Sequence, residues 1–63
     1  MDAHNNLGVV YGKKGLLDKA EEHFKASIKL NPDDSYSYHN LAKVYEMKGL
    51  KDKAEKVRRM TKN

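Results

Sequence analysis

The sequence predicts an all-α protein, an α-solenoid of two helix–turn–helix hairpins with four antiparallel helices. Three observations carry that prediction. The chain matches itself at a shift of 34 residues, apolar side chains recur at spacings of three and four, and glycine or Asn-Pro stands where helices should end. Setting residues 1–29 against 35–63 makes eleven of 29 positions identical. They are Asn6/Asn40, Leu7/Leu41, Val10/Val44, Tyr11/Tyr45, Lys14/Lys48, Gly15/Gly49, Leu16/Leu50, Asp18/Asp52, Lys19/Lys53, Ala20/Ala54 and Glu21/Glu55. The run Lys-Gly-Leu-x-Asp-Lys-Ala-Glu recurs without a gap.

Each element follows from local signals. Ala3, Leu7, Val10, Tyr11 and Lys14 trace one stripe of a first helix, and Gly15 ends it because glycine takes a left-handed conformation without steric cost. Asp18 and Glu21 have capping-box spacing and should open the second helix, with Ala20, Phe24, Ser27 or Ile28, and Leu30 as its packed side. Asn31-Pro32 closes it, since proline disfavours a helical residue before it. Asp33, Asp34 or Ser35 caps the third helix, whose apolar face is Leu41, Ala42, Val44 and Tyr45. Gly49 stops that helix, and Asp52-x-x-Glu55 opens the fourth. The expected helices run over about 2–14, 18–30, 35–48 and 52–62.

These residues resemble the tetratricopeptide repeat (TPR), a helix–turn–helix unit. The matching positions are Leu7, Gly8, Tyr11, Gly15, Ala20, Phe24, Ser27, Leu30 and Pro32 in unit one. In unit two they are Tyr38, Leu41, Ala42, Tyr45, Gly49 and Ala54. The aromatic expected early in the first helix is His4 in one unit and Tyr38 in the other. Repeat one is then 1–34 and repeat two 35–63, together one domain. Gly8, Ala20, Ala42 and Ala54 should let paired helices approach closely, with Tyr11, Phe24 and Tyr45 filling the gaps. Arg58, Thr61 and Lys62 replace Phe24, Ser27 and Ile28, a polar outer face of the kind a terminal repeat needs.

Composition narrows the function classes. The 63 residues allow one small domain. A chain this short buries only about 60% of its unfolded surface, so stability should be marginal. There is no cysteine, hence no disulfide or thiolate staple. No apolar run approaches a membrane span of about 18 residues, and polar Met1–Leu7 is no secretory signal, which together suggest a cytoplasmic location. An enzyme with its own buried site is not expected, nor is any cofactor.

The candidates for chemistry mostly dissolve on inspection. His4, His23 and His39 have no i, i+4 partner among themselves, so no metal is expected. Gly8–Lys13 is one residue short of a phosphate loop and sits inside a helix. Asp34, Ser35, Ser37 and His39 hold the residue types of a hydrolytic triad but read as helix-starting residues. Residues 48–63 carry seven Lys and Arg against Asp52 and Glu55, a net of +5, while 1–47 is net −1. Arg58 and Arg59 with Lys51, Lys53, Lys56 and Lys62 could meet nucleic acid, but no aromatic interleaves them, and a solvated helix end is the stronger reading.

The resemblance implies non-enzymatic protein–protein interaction on a concave surface lined by first helices. Asn6 and Asn40 stand where asparagines of such arrays bind an extended peptide backbone, and an amide both donates and accepts. By the same resemblance the groove neighbours are Asn5, Val9 and Lys13 in unit one, and Tyr36, His39, Lys43 and Met47 in unit two. Some relatives clamp a C-terminal carboxylate, but Asn5 and Val9 replace the Lys and Asn that clamp requires, leaving Asn40 alone. Two further readings stay open. One is self-assembly as a homodimer, with swapped hairpins as one form, because solenoids usually need about three repeats to bury a continuous core. The other is weak nucleic-acid binding through the basic last helix.

Overall fold

The computed structural model describes residues 3–61. Lys62 of the basic set and the side chain of Ala3 lie outside what is described. Four helices follow in order: α1 (Ala3–Lys13), α2 (Leu17–Leu30), α3 (Ser35–Met47) and α4 (Lys51–Met60). Each falls within two residues of its expected bounds, and no strand occurs among the described residues. Successive helices pack in pairs, α1 on α2, α2 on α3 and α3 on α4. α1 touches α3 only lightly and α2 does not reach α4. The first helices, α1 and α3, therefore line one side of the molecule, and the second helices, α2 and α4, the other.

The two hairpin turns are the same object. The Leu16 N–H donates to the Tyr11 carbonyl at 2.9 Å, and the Leu50 N–H to the Tyr45 carbonyl at 2.8 Å. Gly15 and Gly49 donate to Gly12 and Glu46 at 3.1 and 3.0 Å, each glycine at φ +79°. This is the Schellman arrangement, which satisfies the last helical carbonyls and requires a left-handed residue.

The expected capping boxes do not form. The turn delivers the chain into α2 and α4 one residue earlier than expected, so Leu16 and Leu50 occupy the cap positions without a side-chain hydrogen bond. Asp18 and Asp52 lie inside the first turn, where their charge still favours the helix N-terminus. α3 starts as expected, with Asp34 Oδ1 accepting from the Tyr36 N–H at 3.0 Å.

The core consists of Ala20, Phe24, Tyr38, Leu41, Ala42, Val44, Tyr45, Ala54 and Val57. Ala20, Ala42 and Ala54 are fully buried, as close packing requires. Gly8 meets the Phe24 ring so closely that an added Cβ would stand 2.5 Å from Cε1. Unit two has Ala42 and Arg58 at these positions, so the ring that excludes a methyl at Gly8 has no counterpart there.

The apolar stripe assigned to α1 is only partly core. Leu7 and Val10 are 42% and 46% exposed, whereas their counterparts Leu41 and Val44 are 5% and 3% exposed. The sequence signal is identical; the neighbours differ. α3 packs between α2 and α4, whereas α1 packs on α2 and only touches α3. Lys14 and Leu30 of the expected stripes are likewise exposed. Val57 is buried within its own hairpin, whereas Met60 one turn on is 57% exposed.

Two polar clusters join the repeats. Asn5, Ser27 and Ser37 are fully buried. Asn5 Nδ2 donates to Ser37 Oγ at 2.9 Å and to Asp34 Oδ2 at 3.3 Å, and the Ser27 and Ser37 hydroxyls stand 2.9 Å apart. Ser37 has one proton, so a consistent pattern is Ser27 donating to Ser37 and Ser37 donating to Asp34 Oδ2 at 3.1 Å. In the second cluster Lys48 donates to Asp18 at 2.6 Å and to Glu21 at 2.8 Å. Glu21 also takes Lys25 at 2.8 Å and the Tyr45 hydroxyl at 3.2 Å. The supposed capping carboxylates of α2 are thus spent on the joint between repeats.

Candidate functional site

Between α1 and α3 runs an open groove of about 320 Å³. Spacings of three and four place Val9, Gly12 and Lys13 on its α1 wall and Tyr36, Asn40, Lys43 and Met47 on its α3 wall. Phe24 of α2, with Gly8 and Val44, forms the floor. Lys13 and Lys43 are exposed at the edges, and Tyr36 and Met47 are 41% and 59% exposed. The groove therefore offers apolar surface, two cations and one amide. No acid–base pair or activated nucleophile lines it.

Six of the nine residues read from sequence meet here: Val9, Lys13, Tyr36, Asn40, Lys43 and Met47. Three do not. Asn5 is fully buried and spent on Ser37 and Asp34. Asn6 is exposed but lies outside the groove, because among the described residues no helix flanks α1 on that side. Its counterpart Asn40 is half-buried with α1 beside it. His39 lies beside Ser35, Arg58 and Thr61 in a separate depression near the end of α4.

The Asn40 amide has a property the sequence did not reveal. Its Nδ2 is buried and has no hydrogen-bond partner among the described residues. Buried donors are rarely left this way, and an unmade bond costs about 1–3 kcal/mol. The floor was also missed, although Gly8 and Gly12, one helical turn apart, signal a face that needs room. Gly12 has that room: an added Cβ would be 4.0 Å from Ala20 Cβ and near nothing else.

The other candidate groups sit elsewhere. The His4 and His23 rings stack at 5.5 Å with Nδ1 atoms 3.3 Å apart, and Tyr11 stacks on His23 at 5.3 Å. One imidazole donates and the other accepts, so the pair ties α1 to α2. Among the described residues no group of three His, Cys, Asp or Glu side chains could hold a metal ion. Gly8–Lys13 is helical throughout, Asp34 is a cap, and Ser37 is a buried member of the joint. Arg58 pairs with Glu46 and Arg59 with Glu55, both at 2.7 Å, so carboxylates answer part of the basic excess on α4. No described helix is long and apolar enough to cross a membrane.

Burial tends to raise the Glu21 carboxyl, but the bonds from Lys25 and Lys48 and their charge outweigh it. They bring the group from an ordinary value of 4.5 to about 2. Lys48 is raised above the usual lysine range, chiefly by its bond to Asp18 and then by Glu21.

Comparison with protein families gives two matches. A tetratricopeptide repeat model covers residues 2–34, and a second tetratricopeptide repeat model covers 23–56. The second is offset from the hairpin boundaries, running from within α2 through α3 into α4. Comparison with curated proteins and with solved structures finds no match. TPR units generally mediate protein–protein interaction and are typically non-enzymatic. With a family model spanning more than half of its length and four helices packed as two tandem hairpins, this chain belongs to the tetratricopeptide repeat family.

Proposed function

We propose that the chain binds an extended segment of a partner protein in the groove between α1 and α3. The observation that supports this most is the Asn40 amide, half-buried in a groove wall with its Nδ2 unpartnered among the described residues. A turn of that side chain toward the opening presents both a donor and an acceptor to a peptide unit. Val9, Tyr36 and Met47 supply apolar contact, and Lys13 and Lys43 favour a ligand with carboxylates along its length. A peptide-array screen followed by an affinity titration tests this reading. Asn40→Ala should weaken the best peptide about tenfold with the helical circular dichroism signal unchanged. Equal affinity in the variant contradicts the groove assignment.

A second reading is association of two copies through the outer face of α1. Leu7 and Val10 support it, being nearly half exposed where their counterparts are buried. Covering such a face makes stability depend on concentration. A melting temperature that rises with concentration, and ceases to do so in Leu7→Asp/Val10→Asp, supports self-association. Sedimentation as a monomer at the highest soluble concentration refutes it.

A further inference from the structure

The second helices stand apart across α3 on the face opposite the groove. Between them lies a cleft of about 360 Å³. Its floor is Tyr38, Leu41 and Tyr45 of α3, with Ile28 of α2 on one wall and Val57 and Met60 of α4 on the other. The rim is basic: Lys25 on α2, and Lys53 and Lys56 on α4. No carboxylate lines it, although Glu21 beside it pairs with Lys25 at 2.8 Å, which leaves Lys53 and Lys56 as the cations open to a ligand. Met60 is 57% exposed, an apolar side chain with little covering.

We propose that this cleft is a second docking site, for an acidic peptide segment that inserts aliphatic or aromatic side chains between flanking Asp or Glu residues. Charge complementarity carries the assignment. Lys53 and Lys56, from the basic segment 48–63, stand with Lys25 around an apolar floor. Such a ring steers acidic partners and repels basic ones. Half-buried Ile28 and exposed Met60 on the walls supply the apolar contact, since desolvated aromatic and aliphatic anchors dominate binding at protein interfaces. Nucleic acid fits less well. Tyr38 and Tyr45 are only 9% and 6% exposed, so neither ring face is open to stack a base. The site shares no residue with the α1/α3 groove, and its occupancy does not depend on that groove binding anything.

The probe is a short fluorescent peptide, capped at both termini, carrying Leu-Phe between glutamates; its counterpart carries lysines instead. Anisotropy titrations should show binding of the acidic peptide, weakened by salt, and none of the basic peptide. Lys56→Glu and Met60→Glu change exposed positions, so the fold should persist, and each should weaken the acidic peptide about tenfold. Lys14→Glu, an exposed position in neither cleft, should leave it unchanged, and Lys13→Glu and Met47→Glu on the opposite face separate binding in the α1/α3 groove from binding here. Equal binding of the two peptides overturns the proposal, as does loss of binding in the groove variants alone. Displacement of the acidic peptide by a single-stranded oligonucleotide at lower concentration than by unlabelled peptide also overturns it, in favour of nucleic acid.

Discussion

Gly8 and Gly12 sit one turn apart on α1 and behave in opposite ways. A methyl at Gly8 would stand 2.5 Å from a buried ring that α2 holds in place, whereas a methyl at Gly12 meets only ordinary contact with Ala20. Gly8→Ala should therefore destabilise by about 1–3 kcal/mol through overpacking. Gly12→Ala should stabilise by about 0.5–1 kcal/mol, the helix-propensity difference. Urea melts of the two variants check both signs. Asn5 gives a further prediction at this scale. Asn5→Ala removes a buried amide that donates to both Ser37 and Asp34 and should cost about 1–3 kcal/mol, readable in the same melts. The sequence could not reveal this role. It places Asn5 beside Asn6 on a surface helix, and only the return of Ser37 from 32 residues away makes it a buried hub.

At the scale of elements, the helix boundaries were legible because their signals are local: glycine at a left-handed position, proline after α2, apolar periods of three and four. The carboxylates of α2 were not. Asp18 and Glu21 have capping spacing, yet their partner is Lys48, which lies beyond the reach of any local pattern. The consequence is a pH-dependent joint. Glu21 is lowered to about 2, so its contribution is complete above the ordinary carboxyl value of 4.5 and disappears as pH falls from there to about 2. Thermal melts across that window should show acid destabilisation that is reduced in Glu21→Gln. An unchanged acid profile in the variant contradicts the role given to this joint. The turns offer a simpler check. Gly15→Ala or Gly49→Ala forces an alanine to φ +79°, costing about 1–2 kcal/mol, with a lower melting temperature expected for each.

At the scale of the whole molecule, the repeat was legible and its ends were not. Leu7 and Leu41 carry the same sequence signal, and one is exposed and the other buried because a periodic pattern does not say how many neighbours its helix has. The same asymmetry separates Asn6 from Asn40 and decides which asparagine lines a groove. Two grooves on opposite faces result, one walled by first helices and the other by second helices. Occupancy of the first is the central claim, and amide chemical-shift mapping with the tightest peptide from an array tests it most directly. The account predicts perturbations centred on Val9, Lys13, Asn40, Lys43 and Met47; perturbations that spare α1 and α3 would contradict it.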